Sequence, residues 1–275
     1  MTTSRVLLTL GGHQLDWSGT SARSPVQRSE RPRVLTAVDH GVTLGVPPGA
    51  EDGIGTVKRV ISCQPDAVLI GPGLFAKTHQ QFAYRGAPAV LIRGDFIVNH
   101  PFVDDLGEHY RVTVTPEEAV ALGADAIVMF LMAGAKTGQL FADNVAAIGK
   151  AAQAAHRAGL PLIVESVLWG TRIENTKDPD RIAFASRMAV ELGADAIKTE
   201  YTGDPESMKQ VIDGTPAPVL VLGGAKSNDP DAVVEGTRLA VAVGAKGVIY
   251  GRNVWQADDP AGMSARLRAV IHSGS

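Results

Sequence analysis

The sequence is poor in the residues that mark several common protein classes. It has one cysteine in 275 residues, Cys63, which excludes an intrachain disulfide and leaves thiol-based metal centres little to draw on. No apolar run approaches the ~20 residues that cross a bilayer, and VLLTL at 6–10 is too short to serve as the apolar region of a secretory leader. An excess of charge is missing too. The 26 basic and 29 acidic side chains give a formal net charge of −3, with no basic footprint for nucleic acid or an anionic membrane. Seven histidines occur, none in an H-E-x-x-H arrangement, so neither a metal nor a cofactor is expected. These absences predict a cytoplasmic protein whose partners are small molecules and copies of itself.

What the chain does have is repetition. Short runs rich in Val, Ile and Leu fall at 33–38, 67–70, 89–92, 126–131, 162–167, 196–199, 218–222 and 247–250. Between most of them lie stretches with helical spacing, such as Ala183, Met188, Ala189 and Leu192. Thr115-Pro116-Glu117-Glu118 reads as a capping box, and Asp-Pro pairs at 178–179, 204–205, 229–230 and 259–260 each put a capping carboxylate before a first-turn proline. The helices are expected to close on glycine, as in HRAGLP, ELGAD and AVGAKG. Strands without polar alternation are strands buried on both faces, as in a parallel sheet covered by helices. Eight strand-helix units in roughly 250 residues predict a single-domain (β/α)8 TIM barrel over 31–275, in preference to a doubly wound open sheet. Residues 1–30 are polar and are expected to form an irregular lead-in or an oligomer contact.

Two segments are near copies: LGADAIVMF at 122–130 and LGADAIKTE at 192–200, with Lys198 in the place of Val128. Strand side chains alternate, so Ala196, Lys198 and Glu200 share a face, and bulky Ile197 suits the helix-facing side. Lys198 is therefore expected to point into the barrel near its C-terminal end, where barrel chemistry is done. Burial disfavours a charged ammonium, and a partly neutral amine attacks carbonyls to form Schiff bases. The competing reading is a buried ion pair between Lys198 and Glu200. Glu165, inside the apolar run LIVESV, calls either for a function or for a partner such as Arg172. Asp39 and His40 end the first strand, His40 reading more as a hydrogen-bonded structural group than as a catalyst. Trp169 and Trp255 flank loops and either shape a pocket or pack in the core. The long connection at 94–113 reads as a lid or substrate-specific loop, and the RGD at 93–95 as a strand end.

The last two strands are followed by VLGGAK and YGRNVW. Gly223, Gly224, Gly251 and Arg252 thus stand where barrels commonly cradle phosphate. Together with AVDHG and IKTEYTGDPESM, these segments resemble the archaeal-type class I fructose-bisphosphate aldolases and relatives such as autoinducer-2 phosphate thiolase and aminodideoxyheptulosonate synthase, over about residues 31–272. The resemblance implies that Lys198 is the Schiff-base lysine, that Asp39 handles protons or binds a hydroxyl, and that the two glycine loops hold phosphate. Relatives of this kind are commonly oligomeric, so a homo-oligomer is expected.

One feature departs from that family. Its tyrosine acid/base, in a YPRG-like segment after strand five, is replaced here by ESVLWG. The tagatose-bisphosphate and sulfofructose-phosphate aldolases are more similar at this point, with a glutamate ending strand five and a Lys-x-Glu on strand six, although their strand-four lysine is absent. The acid/base role therefore moves to Glu165, with Glu200 as its helper, and His40 and Trp169 join the substrate-binding residues. The expected activity is a metal-independent, Schiff-base aldolase acting on a phosphorylated ketose. Transaldol or acyl transfer on the same scaffold, and a phosphosugar-binding barrel without catalysis, are the alternatives.

Overall fold

The computed structural model describes residues 7–10, 13–16, 32–97 and 101–272. Eight parallel strands, β1 (Arg33–Ala37), β2 (Ala67–Ile70), β3 (Ala89–Arg93), β4 (Ala126–Met132), β5 (Leu162–Val167), β6 (Ala196–Thr199), β7 (Val219–Leu222) and β8 (Gly247–Tyr250), pair in sequence order. The ring closes where β8 pairs with β1, Val248 opposite Val34. Every strand coincides with an apolar run of the sequence to within a residue or two, and the expected barrel is the fold found.

The alternation of side chains builds two cores. Leu35, Leu69, Leu91, Val128, Ile163, Leu220 and Ile249 fill the barrel with alanines between them. The opposite faces, among them Val34, Val68, Ile127, Val164 and Ile197, pack against the surrounding helices. Because both faces are buried, a polar residue in a strand meets either the helix layer or the barrel interior, and Lys198 meets the interior.

The helices are α1 (Gly41–Leu44), α2 (Gly53–Ser62), α3 (Pro72–Thr78), α4 (Pro116–Ala121), α5 (Gly138–Ala158), α6 (Pro179–Glu191), α7 (Pro205–Asp213), α8 (Pro230–Ala242), α9 (Arg252–Trp255) and α10 (Pro260–His272). Their starts follow the sequence signals. Thr115 and Glu118 form the reciprocal capping box of α4, and Asp178, Asp204 and Asp229 each accept a first-turn N–H at the start of α6, α7 and α8. Asp259 does the same for Gly262 in α10. Each such cap stabilises its helix by about 1 kcal/mol. The expected closing glycine is the C-cap of α5, Gly159. In α6 and α8 it stands one residue past the C-caps Leu192 and Val243. None of the helices among the described residues is long and apolar enough to cross a membrane.

At the N-terminal end of the barrel, an aspartate before an even-numbered strand reaches back to the strand before it. Asp66 accepts the Val34 N–H, Asp125 the Val90 N–H and Asp195 the Leu162 N–H, each at 2.8 Å. The backbone N–H groups of the same three aspartates donate to the carbonyls of Val34, Val90 and Leu162. These clamps explain the repeated GAD of the two near copies: its aspartate serves register, independently of what the strand carries further on.

Two excursions leave the barrel. Leu7–Leu10 pairs antiparallel with His13–Asp16, so these eight residues of the lead-in are strand and not irregular; its other residues lie outside those described. After β3, Asp95–Ile97 pairs antiparallel with Tyr110–Val112. The connection at 94–113 is thereby a ribbon and a short 3-10 turn at Pro101–Leu106. Glu108 fastens it by accepting the N–H groups of Lys136 and Thr171, in the loops after β4 and β5.

Candidate active site

A cavity of about 190 Å³ opens at the C-terminal end of the strands. All ten residues selected from the sequence line it: Lys198, Glu165, Asp39, Glu200, Gly223, Gly224, Gly251, Arg252, His40 and Trp169. The barrel thus collects onto one surface residues spread over more than 200 positions of chain.

At its floor is a network of ion pairs. Lys198, 5% exposed, sits opposite Glu165 in the β5–β6 register, and its Nζ lies 2.7 Å from Glu165 Oε1. Glu165 Oε2 accepts from Arg93 Nη2, while Arg93 Nε donates to Asp39 Oδ2 at 2.7 Å. Arg93 Nη1 is 3.7 Å from Asp95 Oδ1. The guanidinium lies over Phe130, 3.8 Å from the ring centroid, and Phe130 stacks on Trp169. Lys198, Arg93, Glu165 and Asp39, removed from water, are stable together because each faces an opposite charge at hydrogen-bonding distance.

This network corrects two sequence expectations. The partner of Lys198 is Glu165, not Glu200, because β6 ends at Thr199 and Glu200, just past it, accepts instead from Thr176 Oγ1 at 3.0 Å. The partners of Glu165 are Arg93 and Lys198, not Arg172, which stands in the loop beyond β5. Spacing along the chain points to local partners, whereas the strands bring together residues 72 apart.

The electrostatics follow from burial and these partners. Burial raises the Asp39 carboxyl, but Arg93, then Lys198 and His40, outweigh it, and the net shift is downward. Burial lowers the His40 imidazole to about 4, Asp39 opposing and Lys198 and Arg252 assisting, so His40 is neutral near pH 7. Its ring meets Trp255 edge-on, and Trp255 Nε1 donates to the Ala37 carbonyl, which makes Trp255 a core residue. Burial also raises Glu200. Arg93 behaves oppositely to an isolated buried cation: burial alone would lower it, and Asp39, Glu165 and Asp95 raise it further than burial lowers it.

The other pole of the cavity is made of backbone. Gly223, Gly224 and Ala225 follow β7, and Gly251 and Arg252 follow β8. Gly251 must be glycine, since a Cβ there would lie 2.2 Å from His40 Cε1 and 2.8 Å from the Ala37 carbonyl. Asn253 binds the two loops together: Nδ2 donates to the carbonyls of Gly223 and Ala225, and Oδ1 accepts the Ser227 N–H. Arg252 Nε is buried with no hydrogen-bond partner among the described residues. A donor of that kind beside two glycine loops suits an anion.

Arg93 and Asn253 were not singled out in the sequence. Arg93 stands in LIRGD, which reads as a strand running into a turn, and nothing nearby marks it as buried; it is 2% exposed. Asn253 had a signal, its place inside GRN.

Residues 33–257 match the family described as DeoC/LacD family aldolase. The chain belongs to the DeoC/LacD aldolase family. This aldolase is 31% identical over 246 residues to an uncharacterized aldolase of Saccharolobus solfataricus, covering 88% of this chain and 90% of the relative. It is 34% identical over 244 residues to the 2-amino-3,7-dideoxy-D-threo-hept-6-ulosonate synthase of Halobacterium salinarum, covering 87% of each. Among solved structures it resembles an archaeal fructose-1,6-bisphosphate aldolase whose catalytic lysine is covalently bound to the carbinolamine intermediate, with a TM-score of 0.76 and 26% identity over 89% of this chain and 96% of that one. The aldolase is of the Schiff-base class, as the resemblance in its motifs implied.

Proposed function

We propose that this aldolase cleaves or forms a carbon–carbon bond in a ketose carrying a phosphate, through an imine on Lys198. The observation that carries the reading is the Lys198 amine, buried at the floor of the cavity, 2.7 Å from a carboxylate oxygen of Glu165. A carboxylate so close is placed to take the proton that the ammonium must lose before it can attack. The phosphate lies on the Gly223–Gly224 and Gly251–Arg252 loops, which sets the ketone carbon over Lys198.

The Lys198 amine adds to the ketone, giving a carbinolamine, and Glu165 returns the proton to its hydroxyl, which leaves as water. The cationic imine draws the electron pair of the bond between its α and β carbons as that bond breaks, while the hydroxyl on the β carbon gives its proton to the Glu165 carboxylate and that carbon leaves as an aldehyde. The resulting enamine takes a proton at carbon, and hydrolysis frees the lysine. Asp39, ionised and held by Arg93, accepts from a substrate hydroxyl. Glu200, on the rim and raised by burial, assists proton exchange with Glu165; neutral His40 and the face of Trp169 border the substrate.

The test is intact-protein mass spectrometry after borohydride reduction in the presence of dihydroxyacetone phosphate and a panel of phosphorylated ketoses, with peptide mapping. A reduced adduct on Lys198 is expected, absent from Lys198→Ala. Adducts formed at another lysine, or none formed while the ligands still bind, would overturn the assignment.

A further inference from the structure

The chemistry assigned to Glu165 leaves a buried arginine unused. Arg93 ends β3, across the barrel interior from Lys198, and reaches Asp39 with Nε and Glu165 with Nη2. We propose that Arg93 is the positioning residue of this active site, gripping one oxygen of Glu165 so that the other stays aimed at the Lys198 amine. The inference rests on the proposed roles of Lys198 and Glu165.

Three observations on geometry support it. Glu165 divides its oxygens, Oε1 to Lys198 and Oε2 to Arg93, so rotating the carboxylate away from the amine breaks a charge-assisted bond to the guanidinium. The guanidinium is itself held, stacked over Phe130 on one face and bound along its Nε edge by Asp39, so it transmits a fixed orientation. Val167, Phe130 and Trp169 add apolar lining to the same cavity, while the charged bonds of Glu165 run to Lys198 and Arg93.

The side-chain type matters as well as the charge. A guanidinium presents donors in a rigid plane and serves two carboxylates in two directions, while an ammonium is a point charge without that fork. The sharing also keeps Lys198 available: Glu165 gives half of its hydrogen-bonding capacity to Arg93, so the amine is not locked in a closed one-to-one pair. The site thereby has a proton carrier with one fixed position, in a chain whose Val167 neighbourhood offers no tyrosine for that task.

The test is a double-mutant cycle on the full chain, reading kcat, KM and the rate of borohydride-trappable adduct formation with dihydroxyacetone phosphate. Arg93→Lys is expected to lower kcat and the adduct rate together by about 100-fold, as a displacement near 1 Å does in a positioned site, with KM and inhibition by inorganic phosphate changed less than threefold. In a Glu165→Gln background the same substitution is expected to cost less than threefold, because Arg93 then has no carrier to aim. Equal losses in both backgrounds, or full activity in Arg93→Lys, would overturn the proposal. Should Arg93→Lys fail to fold, Phe130→Leu loosens the guanidinium without touching a charge; a fall of about fivefold that disappears in Glu165→Gln supports the proposal, and an unchanged or additive effect overturns it. Full activity in Glu165→Gln alone would instead sink the role of Glu165, a separate result.

Discussion

Replacing Asp95 by asparagine tests the electrostatics of the buried network with a large and signed effect. Asp95 has no exposed surface. Burial raises its carboxyl from 3.8 to about 7, with Arg93 and the Phe130 N–H pulling only part of the way back. Between those pH values the folded protein holds a proton that the unfolded chain has released. Stability is therefore complete below pH 3.8 and is lost as pH rises toward 7, at about 1.4 kcal/mol per pH unit, or about 4 kcal/mol in all. About 3 kcal/mol of that loss falls between pH 5 and 8. Asparagine does not titrate, and its Oδ1 can still accept the Phe130 N–H that Asp95 Oδ2 now accepts at 2.7 Å. Urea unfolding of both proteins at pH 5, 6, 7 and 8 is expected to show the variant gaining on the parent by about 3 kcal/mol from the lowest to the highest pH. A difference that stays flat would refute the reasoning, since it would mean that Asp95 is ionised in the folded protein throughout and held there by Arg93.

Three other substitutions probe the proposed anion cradle, a backbone contact and a helix start. Arg252→Ala should raise KM for phosphorylated ketoses by roughly 10- to 100-fold with kcat within a few-fold, the loss of a hydrogen bond to a charged group, and inhibition by inorganic phosphate should weaken in parallel. Gly170→Ala should destabilise by at least ~2 kcal/mol in urea unfolding, because Gly170 has φ +130° and an added Cβ would lie 1.8 Å from the Gly134 carbonyl; displacing its neighbour Trp169 should also lower activity. Thr115→Ala, which removes one half of the α4 capping box, should cost about 1 kcal/mol and about 2–4 °C in Tm by calorimetry, with activity unchanged.

What could be read from the sequence was whatever depends on periodicity and on strand ends. Alternation along β6 was enough to turn Lys198 inward, and the places of Gly223, Gly224, Gly251 and Arg252 after the last two strands were enough to gather them at one pole. What could not be read were contacts made across the barrel. Arg93 has no local pattern, and its ion pairs with Asp39 and Glu165 form only when β1, β3 and β5 surround one space. The proposed partners of Lys198 and Glu165 failed for the same reason: Glu200 and Arg172 were near in sequence, while Glu165 and Arg93 were near in the ring. The strands of the lead-in were missed because LLTL and HQLD carry too short an alternation to stand out in polar surroundings.

The aspartate clamps give the barrel a grain. They join β1 to β2, β3 to β4 and β5 to β6, and in the last pair the Lys246 N–H keeps the corresponding bond to the Val219 carbonyl while its side chain is of the opposite charge. The chain is thus built in two-strand quarters, each stitched at the end of the barrel remote from the cavity. Register and cavity are divided between opposite ends of the same strands: Asp195, the register key just before β6, and Lys198, whose side chain lines the cavity, stand three residues apart and are pointed at different tasks. New termini opened at Gly159, between the second and third quarters, would leave every clamp inside an unbroken segment, whereas a cut inside a quarter would make its stitch depend on docking two separate pieces of chain.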